Sequence, residues 1–419
     1  MKHLIKSLFL FSIIVPVFGQ ALLIPMDLTQ TNHLKAYGVA YWALEQGMDV
    51  EWLLNYRGGS FLFESAAAVQ RQCRLRGVSS FPQSALEVSR IRLEIESGNM
   101  ESVLLEKAPK VVVYTPPNKQ PWDDAVTLAL TYAEIPYETL WDEGVLRGDL
   151  NKFDWLHLHH EDFTGQYGKF YGSYHNVPWY VEQQKSYEAE ARRLGFQKVS
   201  QQKLAVAQAI QSYVFGGGFL FAMCSATDSY DIALAASETD ICEAVFDGDP
   251  VDPKYSQKLR YDLCFAFENF RLYTDPNQYE FSNIDTSPPQ GASPDAGRND
   301  YFSLFEFSAK YDPVPCMLTQ NHVSIVHNFM GQTTGFHRDK LKKSIVVMGE
   351  KENGSEVKYI HGNMGKGTFT FLGGHDPEDY QHFVGDPPTD LSLYPNSPGY
   401  RLILNNILFP AAKKKEQKT

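Results

Sequence analysis

The sequence predicts an α/β protein: a flavodoxin-like three-layer sandwich with a mainly parallel sheet, an extra N-terminal α/β unit and a β-rich insertion. Three observations predict it. Short apolar runs alternate with segments whose apolar residues recur at helical spacing, which is the signature of strands joined by crossover helices. That pattern runs once, restarts near residue 107, and is interrupted from 247 to 340 by turn-rich sequence such as "DGDPVDP" and "TSPPQGASPDAGRND". At 419 residues, 43% hydrophobic and 13% aromatic, the chain carries enough apolar material for a large core.

The elements follow in order. "MKHLIKSLFLFSIIVPVFGQA" has a basic start, an apolar stretch and a small-residue exit, so residues 1–19 are expected to be a signal peptide and the protein periplasmic or secreted. No stretch reaches the roughly 18 to 20 apolar residues of a bilayer span, so no transmembrane segment is expected. A formal charge of −12 argues against a nucleic-acid partner. In the N-terminal unit, 20–106, "ALLIPM" and "DVEWLLN" read as strands around one helix, and two further helices are expected at 66–75 and 84–96. The main domain, 107–246 and 341–411, offers the strands "KVVVYTPP", "YETLWD", "FDWLHLHH" and "FLFAMC", then "SIVVMGE", "VKYIHG" and "GTFTFLGG". "YRLILNNILF" closes it as an amphipathic helix. Between them, 247–340 is the β-rich insertion, in which "CFAFENFRLY" and "YFSLFEFSAKY" alternate like antiparallel strands. Residues 412–419 form a basic tail.

Five cysteines without C-x-x-C spacing match neither a disulfide framework nor a zinc knuckle. Cys224 ends an apolar strand before a helix, where open α/β sheets place ligands. Small residues two positions to either side, Ala222 and Ala226, fit the steric demand of a nucleophile elbow, although a buried thiol packing as a small hydrophobe fits the same string. His375 ends a second strand and is followed by Asp376 and Glu378, which supplies a base and a choice of acids for a thiol nucleophile; the same residues also suit a turn before Pro377.

These strings, "GGGFLFAMCSA", "GKGTFTFLGGHDPE" and "RLILNNILF", resemble the class I glutamine amidotransferase-like superfamily, near its trehalose-utilisation-type members. The resemblance implies a cysteine nucleophile at Cys224 with His375 as base. It departs from the family in the alanines around Cys224 and in Glu378 lying three residues beyond His375, so that Asp376 or Glu378 remains open as the orienting acid. The whole chain also resembles exported bacterial proteins labelled asparagine synthetase B. The stretch "SATDS" lacks both glycines of an S-G-G-x-D-S phosphate loop and is one residue shorter, so it cannot wrap a phosphate as that loop does.

A third constellation is "WLHLHHEDF", with His157, His159, His160, Glu161 and Asp162 at a strand end. Alternation puts His157 and His159 on one face, and imidazoles with carboxylates at this density suit a divalent metal, with His157, His159 and Glu161 as candidate ligands. The same cluster also reads as a polar pocket wall, in which His159, His160, Glu161, Asp162 and Trp122 would contact substrate. Asp123 and Asp124, just before a helix, read as N-terminal caps. The functions expected are a cysteine-dependent amide or ester hydrolase, a non-catalytic module binding a small molecule, peptide or glycan, or a metal-dependent hydrolase at 157–162.

Overall fold

The computed structural model describes residues 21–64, 66–118, 120, 122–286, 300–327, 329–352, 354–379 and 385–413. The expected signal peptide and all but the start of the basic tail lie outside the described residues.

The N-terminal unit holds β1 (Ala21–Ile24), α1 (His33–Glu45), β2 (Val50–Leu54), β3 (Ser60–Phe63), α2 (Ala66–Arg76), β4 (Phe81–Gln83), α3 (Ala85–Ser97) and β5 (Glu101–Leu105). Its five strands form their own sheet in the order β4-β1-β3-β2-β5, antiparallel at every pairing. The helices expected here are present, but the unit is not a parallel βαβ opening. The short turn between β2 and β3 returns the chain beside itself, and only antiparallel pairing tolerates so short a connection.

The main domain continues with β6 (Val111–Tyr114), α4 (Ala125–Ala133), β7 (Glu138–Leu140), α5 (Asp142–Leu146), β8 (Trp155–Leu158), α6 (Tyr171–Tyr174), α7 (Pro178–Arg193), α8 (Val199–Gly216), β9 (Phe219–Met223) and α9 (Ser225–Ala235). After α10 (Ala244–Asp247) and α11 (Tyr255–Lys258) come β10 (Tyr301–Leu304), β11 (Ile325–His327), β12 (Phe336–His337), β13 (Val346–Glu350), β14 (Glu356–Met364), β15 (Gly367–Leu372) and α12 (Pro398–Leu408).

The central sheet runs β11-β10-β13-β14-β15-β9-β8-β6-β7, with β12 paired to β14. Strands β7, β6, β8, β9 and β15 are mutually parallel, and β14, β13, β10 and β11 extend them antiparallel. The expected mainly parallel sheet is therefore mixed. The cause is the tight "NMGKGT" turn between β14 and β15, which forces a hairpin where a crossover helix would have kept the strands parallel. The insertion feeds this extension through β10 and β11, whereas "CFAFENFRLY" contributes only isolated bridges at Phe267 and Leu272.

Side chains alternate across the parallel strands. Val111, Val113, Trp155, Phe219 and Phe221 face one core with α1, α4 and α12, while Val112, Leu156, Leu220 and Ala222 face another with α8 and α9. Arg401 of α12 ties the two sheets together. Its buried guanidinium donates to the carbonyl oxygens of Met26 (2.8 Å) and Gly58 and to the Tyr37 hydroxyl (3.0 Å). The chain end adds Glu106 N–H to Ala411 O and Lys413 N–H to Leu104 O, both 2.8 Å. Among the described residues no helix is long and apolar enough to cross a membrane.

Candidate functional site

Parallel register brings three strand ends level. Leu158 pairs with Ala222, and Leu372 with Met223, so the residues that follow β8, β9 and β15 emerge into one crevice. Those residues are His159, Cys224 and the Gly373–Gly374–His375 turn.

Cys224 sits between β9 and α9 with φ 49° and ψ −139°, a conformation that costs a non-glycine residue about 1–3 kcal/mol. A strained strand-to-helix turn of this kind is also what a nucleophile elbow requires. Its N–H donates to Gly374 O at 3.1 Å, and the backbone N–H groups of Thr333, Gln332 and Ser225 act to lower its thiol. Burial dominates, however, and pushes the thiol up to about 11 despite those donors. The side chain is 2% exposed yet lines a cavity of about 260 Å³ together with Trp122, His160, Phe170, Tyr279 and His375.

Two of these N–H groups, on Gln332 and Thr333, come from the insertion, which the sequence does not associate with the site. Residues 330–334 lie backbone against backbone on the β15 turn, through Gly374 N–H to Thr333 O (2.8 Å) and His375 N–H to Met330 O (2.9 Å). Gly374, at φ 99°, permits this approach, since a Cβ there would meet Phe329 O at 1.9 Å. Gly331 lies between the Cys224 sulfur and His375. A Cβ on it would lie 3.0 Å from the Cys224 sulfur and 3.1 Å from His375 Cβ.

Of the acids named from sequence, Asp376 has a carboxylate oxygen within 4.8 Å of a His375 ring nitrogen and also serves other partners. Asp376 accepts from the hydroxyls of Tyr400 (2.6 Å) and Thr389 (2.8 Å) and from Glu378 N–H (2.8 Å). Glu378 is hydrogen-bonded to Ser397, and burial raises its carboxyl. Asp123 also approaches the His375 ring, with Oδ1 3.9 Å from Nε2.

Period-two alternation places His157 and His159 on the α4 face, and α4 begins there. Asp124 caps it, accepting from Val126 N–H (2.8 Å) and Thr127 N–H (2.9 Å), and the same carboxylate lies 3.2 Å from His157 Nε2 and 3.3 Å from His159 Nδ1. Burial alone would raise Asp124, but the two imidazoles outweigh it and hold the carboxyl well below its ordinary value. His157 Nδ1 faces Phe221 O at 3.2 Å, so both its nitrogens look at acceptors.

Glu161 turns back to accept His159 N–H at 2.9 Å, and burial pushes it up to about 7. Asp162 orders the following loop, accepting from Thr164 N–H (2.6 Å), Thr164 Oγ1 (2.6 Å) and Gly168 N–H (3.1 Å). His160 stacks on His159 at 3.8 Å between ring centroids, and His375 lies 4.4 Å from His160 and 4.9 Å from His159. Trp122 packs edge-on to His160 and beside Phe170, walling the cavity with aromatic surface. The crevice therefore combines Cys224, His375, His159, His160 and Trp122, with Asp123 and Asp124 beneath the histidines. Glu161, Asp162, Asp376 and Glu378 support its walls.

No protein-family model matches the chain, and no curated protein matches it. Among solved structures, two cytoplasmic proteins of Salmonella typhimurium share 10% and 11% identity with it. Each match spans 73% of this chain and 100% of the other, at TM-scores of 0.34 and 0.35. A β-galactosidase from Bacillus circulans sp. alkalophilus is 9% identical over 70% of this chain and 32% of its own, at a TM-score of 0.26. Overlaps this loose carry no argument, and the site is read from its own geometry.

Proposed function

We propose that this chain is an exported, amidotransferase-like protein acting as a cysteine-dependent amide or ester hydrolase. The observation that carries the reading is the strained Cys224 turn, with its sulfur among three backbone N–H groups and His375 on the same cavity wall. A flavodoxin-like three-layer arrangement belongs to the same proposal. The parallel strands β7-β6-β8-β9-β15 have the chain order 2-1-3-4-5 of that fold, whose ligands bind beyond the carboxyl ends of the strands.

In this reading His375 takes the thiol proton as sulfur attacks the substrate carbonyl. The carbon–sulfur bond forms as the carbonyl electrons move to oxygen, and N–H groups such as that of Ser225 face the developing oxyanion. Collapse expels the amine or alcohol, protonated by His375. Water then attacks the thioester, giving its proton to His375, and the carboxylic acid leaves with the thiol restored. Asp123 is the carboxylate placed to orient His375. Because burial keeps the resting thiol protonated, deprotonation must accompany attack rather than precede it.

The test is incubation with a panel of p-nitrophenyl esters and amide-based electrophilic probes in the presence of EDTA, followed by peptide mass mapping. Turnover with an acyl or probe adduct on Cys224, absent in Cys224→Ser and slowed in His375→Gln, is the expected result. No turnover and no adduct on Cys224 in any arm would remove the proposal.

A further inference from the structure

We infer that His159, His160 and His375 form a site for one divalent transition-metal cation of the zinc class, open toward the cavity that Cys224 lines. One nitrogen from each ring lies within 4.8 Å of the others. Ligation at about 2.0–2.1 Å needs nitrogens about 3.3 Å apart in a tetrahedron, so a small inward rotation of the rings completes the set.

The partners of each ring fix which nitrogen is offered. His159 presents Nδ1 to Asp124 Oδ1 at 3.3 Å, while its Nε2, on a fully buried side chain, has no hydrogen-bond partner. His160 Nε2 lies 3.0 Å from Asp123 O and can only donate to it, which leaves Nδ1 with its lone pair. A carboxylate and a backbone carbonyl behind two imidazoles are the usual supports of a metal-binding histidine, setting tautomer and ring direction.

This set differs from the one the sequence favours, in which His157, His159 and Glu161 would bind. His157 turns its two nitrogens toward Phe221 O and Asp124, on the far side of His159 from the cavity group, and Glu161 accepts from backbone. The third ligand arrives from β15, far away in sequence. Three protein ligands leave a position for water or substrate.

A consequence rests on the hydrolase reading: a cation that engages His375 removes the base from Cys224, so bound metal inhibits thiol chemistry and chelation restores it.

The experiment uses the full chain stripped with EDTA and dialysed, then titrated with Co²⁺ by visible absorption and with Zn²⁺ by calorimetry, without any substrate. About one cation per chain is expected, retained in Cys224→Ser and weakened at least about tenfold in His160→Ala and in the bulkier His160→Gln. Circular dichroism confirms that both variants remain folded. Substoichiometric binding, or binding unchanged in both His160 variants, overturns the site. Binding lost in Cys224→Ser overturns the three-imidazole assignment in favour of a thiolate ligand. The hydrolase reading is scored separately by adduct formation in EDTA, so either idea can fail alone.

Discussion

The ends of β8 and β9 are neighbours in one sheet, yet they are held by opposite means. At the end of β8, His157 and His159 are fixed by charge, through one carboxylate that also caps α4. Beyond β9, Cys224 has few charged neighbours, and its position is fixed by a backbone conformation that most residues avoid. A charge network is adjustable by protonation and ions, whereas a strained turn answers mainly to packing. The crevice thus pairs a tunable wall with a rigid one.

Substitutions on each side test that contrast. The largest expected effect is Cys224→Ser, which should lower esterase or amidase turnover by at least about 10³-fold while the melting temperature stays near wild type; assay and calorimetry together check it. Next, Asp124→Ala removes the acceptor for two helix N–H groups and two buried imidazoles. A loss of about 2 kcal/mol is expected in urea unfolding at pH 7. Because the native carboxyl titrates well below its ordinary value, that contribution is complete above about pH 4 and is lost as pH falls through the native value. The two proteins should therefore converge in acid.

Gly331→Ala acts on the rigid wall. A methyl group 3.0 Å from the sulfur must displace the loop or the thiol, and a drop of about tenfold in kcat/KM is expected, near 1.4 kcal/mol, with little change in urea midpoint. The smallest effect belongs to Asp228, in the first turn of α9, which accepts from Thr333 Oγ1 at 2.9 Å and is pushed up to about 7 by burial. A raised acid costs stability as pH climbs from its ordinary value to its native one. Asp228→Asn should gain on the order of 2 °C in melting temperature at pH 8 and nothing at pH 4.

Much of the scaffold is legible in the sequence, because period-two runs and helical spacing depend on local pattern. The strands "VVVY", "WLHL", "FLFAM" and "GTFTFL" and the helix "YRLILNNIL" lie where that pattern puts them. Strand direction was harder to read, since β14 and β15 look alike whether a turn or a crossover joins them. Cys224, His375 and the His157–His160 run were visible as residues at strand ends. The sequence suggests caps at Asp123 and Asp124, and Asp124 is one. That the same carboxylate also faces two histidines depends on α4 starting beside β8, which no local string reveals. The Gly331–Gln332–Thr333 contribution was hidden for a similar reason: it reaches the thiol only after the insertion folds back onto the β15 turn.

Arg401 has a bearing on the order in which the protein is made. The carbonyls of Met26 and Gly58 receive their donor from a residue more than three hundred positions later, and β5 gains its last neighbours only at 411–413. At a ribosomal rate of about 5–20 residues per second, the N-terminal sheet waits some tens of seconds, on the order of a minute at the slow end, for the segment that completes it. Its folding thus waits for residues 398–413, and a nascent chain that has not yet made α12 would carry an N-terminal half with unfilled acceptors and an uncovered apolar face.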